Sequence, residues 1–358
     1  MKFKYDFLKN IVSQIFMKTG LTQEDANRAS EVLLRSNFTG VDSHGLSRLE
    51  NYVYKLRTGK INVHPNLRQI NDDEKLIKLD GDNGLGLVVA PRALDICIDA
   101  AKKHGISCVT VNNSNHFGVG NYYGGKIAEN DLIGIVITNA APSMAPFGGI
   151  EKLLGTNPIV ISIPTGKSAP IILDMATSAV AYGAIEQFAL MNRELEPNWA
   201  MDLEGNMTLD PKVVTSGNGM LMPMARHKGY GLALVVDILC LALAGAKAGK
   251  DIVSIRGRGD DIEHEGVGHM MLAIDISRFG SKEEFKGKVD SYVEFIKNSE
   301  KKAGVEEIFT PGEIEYNRLN TNMEDGIDLK ENVYSYLEKI TREYDILTEG
   351  QSLKDFAQ

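Results

Sequence analysis

The sequence predicts a mixed α/β protein, with an α/β body at residues 74–280 inserted into a helical domain built from residues 1–73 and 281–358. Three observations carry this reading. Apolar residues recur at helical spacing over residues 1–60. From about Glu74 to residue 280, β-branched runs alternate with amphipathic stretches. After Ser281 helical patterning returns. A chain of 358 residues suits two domains and is long enough to bury a sizeable core.

In chain order, Phe7, Leu8, Ile11, Val12, Ile15 and Phe16 mark a first helix, which Gly20 closes. Thr22 with Asp25 three residues on resembles a capping box ahead of a second helix over Ala26 to Ser36. The stretch Gly40-Val41-Asp42-Ser43-His44-Gly45 breaks the pattern. A third helix starts near Ser47, carries Leu49, Tyr52, Val53 and Leu56 on one face, and ends at Gly59. Lys75 to Leu79 alternates as a strand does. A glycine-rich turn follows, and Leu87 to His104 forms an amphipathic helix stopped by Gly105. Further strands are expected at 106–111, 132–138, 158–163, 170–174 and 268–276. Arg193 to Met222 reads as irregular, and Gly229 to Ala246 as a buried core helix interrupted by Asp237 rather than a membrane span. Phe285 to Lys302 and Glu331 to Tyr344 are amphipathic helices.

Composition narrows the function. A net charge of −9 argues against nucleic acid or an anionic membrane as the main partner. The three cysteines, Cys97, Cys108 and Cys240, sit apart in apolar runs and read as buried free thiols of a reducing compartment, the cytoplasm. The N-terminal Met1 to Asp6 lacks a signal-peptide core.

Six stretches are candidates for chemistry. His44 lies in a loop and Arg48 opens a helix four residues later. That spacing aims both at one pocket, and a guanidinium suits an organic-acid carboxylate. Tyr52, one turn on, lines the same wall. His116 follows a buried strand, where an imidazole can take a proton from an alcohol or return it to a carbonyl. Gly148-Gly149 and Gly155-Thr156-Asn157-Pro158 are turns that let backbone N–H groups approach a ligand. Asp174, at a strand end, either binds a ribose or caps a helix. Arg226-His227-Lys228-Gly229 opens an apolar helix at an end that favours phosphate. Thr310-Pro311-Gly312-Glu313 is by itself a turn. Each also has a bland reading: a capping histidine, a surface arginine or plain turn chemistry. No GxGxxG follows a strand, and there is no P-loop and no GxSxG. His264-Glu265 and His269 mimic a zinc-protease motif, but the histidines are five apart and do not share a helix face. No metal is expected.

Taken in register, these stretches resemble one family, the type-2, non-Rossmann malate/L-lactate dehydrogenases. That family also includes ureidoglycolate, sulfolactate and diketogulonate oxidoreductases. The resemblance rests on Val41 to Gly45 with Arg48, Asn115 to Gly118, Ala145 to Gly149, Leu154 to Pro158, Leu173 to Ser178, His227 to Leu232, Val267 to His269 and Pro311 to Glu313. It implies NAD(P)-dependent hydride transfer at C2 of a small 2-hydroxy acid, with malate or L-lactate first, and a homodimer. It implies proton transfer by His116, with His44 assisting, and the substrate carboxylate on Arg48. Ser43, Tyr52, Thr156 and Asn157 complete the expected substrate contacts. Ala140, Asp174, Met175, Ala176, Lys228, Gly229, Gly312 and Glu313 match cofactor-binding positions, for NAD or NADP. One departure stands out. The family often has two glycines before His227, where this chain has Ala225 and Arg226. The alternatives are ureidoglycolate or sulfolactate dehydrogenation, cyclic ketimine reduction on the same scaffold, or a non-catalytic metabolite-binding protein.

Overall fold

The computed structural model describes residues 1–258, 264–348 and 350–357. The chain begins with β1 (Lys2–Phe3), α1 (Tyr5–Lys18), α2 (Gln23–Phe38), two 3-10 turns (Asp42–His44 and Leu46–Arg48) and α3 (Leu49–Arg57). Next come β2 (Arg68–Gln69), β3 (Leu76–Asp80), α4 (Gly86–His104), β4 (Ile106–Ser114), α5 (Gly120–Glu129), β5 (Leu132–Thr138), β6 (Ile159–Ile163) and β7 (Ile171–Met175). They lead into α6 (Tyr182–Leu190), β8 (Ala200–Asp202), β9 (Met207–Thr208), α7 (Pro211–Thr215), β10 (Gly219–Leu221) and α8 (His227–Ile238), which continues as a π-helical turn, Leu239–Ala244. Last are β11 (Val267–Asp275), α9 (Lys282–Lys297), α10 (Glu313–Asp325), β12 (Ile327–Asp328) and α11 (Glu331–Glu343).

The central sheet has the order β2-β3-β4-β11-β5-β6-β7. Strands β3 and β4, joined by the crossover helix α4, are parallel, with Leu79 opposite Val111. The other neighbouring pairs among the described residues are antiparallel. β11 inserts between β4 and β5, placing Met271 beside both Val109 and Val136. A doubly wound dinucleotide fold has a mostly parallel sheet; here β3–β4 is the one parallel pair among the described residues, and the late strand β11 adds two of the antiparallel ones.

One continuous core joins the terminal helices to this sheet. Leu8, Ile15, Phe16, Leu33 and Phe38 pack through Leu87, Val88 and Leu94 onto Val109, Val111 and Met271, while α11 adds Leu337 and Ile340. α9 lies elsewhere, with its Asp290 accepting backbone N–H groups of Lys167 at 2.9 Å and Gly166 at 3.2 Å. The cap of α2 is half of the expected box. Thr22 Oγ1 accepts the Asp25 N–H, but the Asp25 carboxylate is taken by Arg92 at 2.6 and 2.8 Å.

Three expectations are corrected. The stretch read as irregular holds the small sheet β10-β8-β9, with its own core of Leu195, Ala200, Val214 and Leu221. The apolar helix after Gly229 is not buried. Val236, Asp237 and Cys240 face the protein, but Leu232, Leu234, Val235, Ile238, Leu241 and Leu243 are exposed. By length and composition 227–244 would cross a membrane, yet Asp237 is buried and accepts a hydrogen bond from Asn139 Nδ2 at 3.1 Å. Of the thiols, Cys97 and Cys240 are buried, whereas Cys108 is half-buried.

Ala225 and Arg226 have positive φ, 46° and 60°. Arg226, at ψ −119°, adopts the conformation of the first central residue of a type II′ turn. This is why glycine suits both positions, and each side chain here carries a strain of roughly 1–2 kcal/mol.

Candidate active site

The loop after β4 is held from below. Asn115 Nδ2 donates to Gly84 O at 2.8 Å and to Asn83 O at 3.2 Å. A Cβ on Gly86, the first residue of α4, would collide with the carbonyl oxygens of Asn115 and His116. Glycine therefore lets α4 start directly against this loop. The backbone N–H of His116 donates to Glu265 Oε2 at 2.8 Å. His116 Nδ1 lies 2.7 Å from Tyr52 Oη and accepts the Gly118 N–H at 3.3 Å. The second contact favours the tautomer with the ring proton on Nε2. That nitrogen makes no hydrogen bond among the described residues, and His116 borders a cavity of about 760 Å³, within the usual range for ligand pockets.

His44 stacks on His116, with centroids 5.7 Å apart and planes at 20°. Ser43 holds this side of the site twice: its Oγ lies 2.9 Å from His44 Nδ1, and its carbonyl accepts Arg48 Nε at 2.7 Å. Burial, aided by the charges of Arg48 and Arg256, pushes the His44 imidazole down to about 4. Burial, then His44 and the same two arginines, holds His116 well below the usual histidine range. Both rings are therefore neutral at pH 7. Burial raises the Tyr52 phenol well above its ordinary value, so it stays protonated.

Two ion-pair systems surround the imidazoles. Arg48 Nη2 reaches Glu186 Oε2 at 2.6 Å, and Arg256 grips the same carboxylate through Nε at 2.7 Å and Nη2 at 3.1 Å. The Arg256 guanidinium lies over the Tyr182 ring at 4.5 Å. Behind His116, Lys55 Nζ donates to Glu265 Oε1 at 2.6 Å and to Ser254 O at 3.0 Å, with side-chain exposures of only 2% and 3% for the pair. Glu265 thus ties a buried lysine on α3 to the backbone of His116. His269 is spent on structure. Its two ring nitrogens meet Thr138 Oγ1 and Ser114 Oγ, both at 2.8 Å, and burial lowers it to about 3. Among the described residues no group of three His, Cys, Asp or Glu is arranged to hold a metal.

The same cavity is bordered by Ala140, Thr156, Asp174, Ala176 and Pro311-Gly312. Asp174 caps a helix, as one of its two sequence readings expects: Oδ2 accepts the Asn121 N–H at 2.7 Å in the first turn of α5. Its carboxyl is accessible inside the cavity but ringed by protein, and the loss of bulk water pushes it up to about 6. Gly120 allows this approach, since a Cβ there would meet Val160 and Asp174. Gly312, at φ +84°, packs its backbone on Ile172. A strand-end carboxylate with its second oxygen uncommitted, next to backbone that no Cβ obstructs, suits a sugar hydroxyl of a dinucleotide, so the residues present fit NAD(P).

The fold brings together Ser43, His44, Arg48, Tyr52 and His116, although they are expected from two separate stretches of sequence. Tyr52, expected as a substrate contact, is buried behind His116 and does not border the cavity, and other candidates lie off it as well. Asn157 is buried, with Oδ1 accepting the Ala140 N–H at 3.1 Å and Nδ2 donating to Ala233 O at 3.0 Å, so it shapes the loop beside Thr156. Met175 does not border the cavity. Gly229 packs on Met224 and Thr177, and Lys228 is exposed. Glu313 turns to Lys297 and to the Thr310 N–H. Sequence reading missed Lys55, Glu186 and Arg256, and weighed Glu265 only as part of a metal motif that it set aside. Lys55 had a signal: it shares the apolar face of α3 with Tyr52, and a buried lysine needs an acid.

Comparison with known proteins places the chain. The family description "Malate/L-lactate dehydrogenase" matches residues 3–338. A malate dehydrogenase of Pyrococcus abyssi is 38% identical over 344 residues, covering 94% of this chain and 93% of its own. The L-sulfolactate dehydrogenase of Methanocaldococcus jannaschii is 37% identical over 350 residues, 98% of each chain. Its solved structure matches with a TM-score of 0.89 over 100% of both chains. The structure of a malate dehydrogenase from Entamoeba histolytica, 30% identical, matches with a TM-score of 0.92 over 98% of this chain and 99% of its own. Fold, cavity and relatives together define an NAD(P)-dependent 2-hydroxy acid dehydrogenase. The chain belongs to the malate/L-lactate dehydrogenase family.

Proposed function

We propose that the protein interconverts malate and oxaloacetate, or L-lactate and pyruvate, with His116 as the proton-transfer residue. The observation that carries this reading is the His116 ring itself. Nδ1 is held by Tyr52 and Gly118, and Nε2 is left for a ligand beside the Arg48 guanidinium. The substrate carboxylate rests on Arg48. The nicotinamide, when bound, supplies the hydride acceptor or donor at C2. In oxidation, neutral His116 first moves its ring proton from Nε2 to Nδ1, where it is directed at Tyr52 Oη, and then takes the hydroxyl proton at Nε2. In reduction, the imidazolium form of His116 gives its Nε2 proton to the carbonyl oxygen and returns to the neutral ring. His44, stacked alongside, orients the substrate oxygen. Ser43 and Thr156 border the acid; Ala140, Asp174, Ala176 and Gly312 border the dinucleotide.

Initial rates with NADH and NADPH against oxaloacetate, pyruvate, sulfopyruvate and a cyclic imine test the reading. Oxaloacetate or pyruvate is expected to lead. A preference for the imine, or no turnover with any 2-oxo acid, would sink it. His116→Ala should lower kcat by on the order of 10²–10⁴-fold while the cofactor still binds. Turnover within a few-fold of wild type would remove His116 from the role.

The same reading includes a cytoplasmic homodimer. The free thiols support the compartment. The exposed row Leu234, Val235, Ile238, Leu241 and Leu243 along α8 and the π-helical turn that continues it supports a second copy, because contiguous apolar surface of this kind marks an interface.

A further inference from the structure

Among the described residues Arg48 and Arg256 share a single carboxylate, which leaves one positive charge in excess there. Glu186 approaches them from behind. It borders an adjoining cavity of about 480 Å³ and not the one that holds the imidazoles; Arg256 borders the imidazole cavity, and Arg48 lies between the two and borders both. The hydrogen bonds to Glu186 and Ser43 occupy Nε and Nη2 of each guanidinium. Among the described residues neither Nη1 donates a hydrogen bond. Arg256 is further steadied by the Tyr182 ring beneath it. Two fixed guanidiniums therefore present two separate donor edges to one small-acid site, and one substrate carboxylate needs only the first.

We propose that Arg256 determines substrate specificity by binding a second anionic group, a carboxylate or sulfonate on C3 of the 2-oxo acid, with Glu186 as the positioning residue that fixes the spacing between Arg256 and Arg48. This rests on the dehydrogenase reading above and narrows it to dianionic acids over lactate and pyruvate. Glu186 does not touch the substrate; it acts through the two arginines. An arginine is the suitable residue because its planar fork can hold Glu186 on one edge and a ligand on another.

The test compares oxaloacetate with pyruvate in wild type, Arg256→Gln and Arg256→Lys. The wild type should prefer oxaloacetate. In Arg256→Gln the ratio of kcat/KM for oxaloacetate over pyruvate should fall on the order of 10- to 100-fold, mainly through KM. Arg256→Lys should recover part of the ratio, and it carries the comparison if the Gln variant loses its fold. A second readout needs no turnover: succinate should raise the Tm of the wild type more than propionate does, and Arg256→Gln should erase that difference. An active wild type that prefers pyruvate, or a variant that loses equally on both acids, overturns the assignment of Arg256. A wild type that turns over neither acid, yet shows Arg256-dependent stabilisation by succinate, overturns the dehydrogenase reading and keeps the anion site. Absence of both effects overturns both.

Discussion

His44 and His116 are neutral because the site is dry and cationic, and the sign of that effect sets the pH behaviour. In oxidation the base must be unprotonated. Its folded value lies below the usual 6.5, so its activity is complete above that region and is lost only as pH falls through the depressed value. The expected kcat/KM for malate oxidation is flat from pH 8 to about 6 and declines further down, rather than halving near 6.5 as an unperturbed histidine would. Burial is the larger cause and the arginine charges the smaller. Arg48→Met should therefore move the acid limb upward only modestly. A limb centred at 6.5 in the wild type would show that His116 is not the titrating base. The two imidazoles were legible in the sequence as loop residues beside strand and helix ends. Their shared pocket was legible only through the ordered set of motifs, because no local spacing relates residue 44 to residue 116.

Helix α3 links sequence periodicity to chemistry. Arg48 at its N-cap, then Tyr52 and Lys55 at i+4 and i+7, fall on one face, so a single helix delivers a guanidinium, the Tyr52 contact to His116 and the Lys55–Glu265 pair. Removing one partner of such a buried pair leaves a bare charge and costs about 3–5 kcal/mol, whereas replacing both with apolar groups is often close to neutral. Glu265→Leu alone should lower Tm markedly. Lys55→Met with Glu265→Leu should recover most of it. In the double variant kcat should stay low, since the His116 N–H has lost its acceptor. Recovery of both stability and kcat would reduce the pair to packing. Glu265 and Arg256 sit in connecting segments and Glu186 on a short apolar helix, where no hydrophobic period marks a functional position. Ala225 and Arg226 were visible as a departure from glycine, but only their positive φ explains it.

At the scale of the molecule, most strands and helices follow the apolar pattern to within a few residues. What pattern cannot supply is the order of strands in space. β11 is distant in sequence from β4 and β5, and both carry similar β-branched faces, so nothing local states that it lies between them. The surface of α8 is a second case: an apolar helix reads as core until the structure turns half of it outward. Val235→Glu, at 54% exposure, places a charge in that row at its most exposed position. Sedimentation should show a dimer for the wild type and a monomer for Val235→Glu. A dimer that survives the charge would place the contact elsewhere.

The close packing of Gly312 on Ile172 also has a temporal side. Both imidazoles, Arg48 and the Asp174 carboxylate are made early, but the cavity wall formed by Phe309, Thr310 and Pro311 comes late in the chain. During synthesis the proposed catalytic cluster can gather while that side of the cleft still opens to solvent. The cleft can close only after Pro311 has left the ribosome and its carbonyl has accepted the Ile172 N–H at 2.9 Å. A cofactor held at the proposed Asp174 and Gly312 contacts would bridge both regions, so its affinity would report whether that late step of folding has finished.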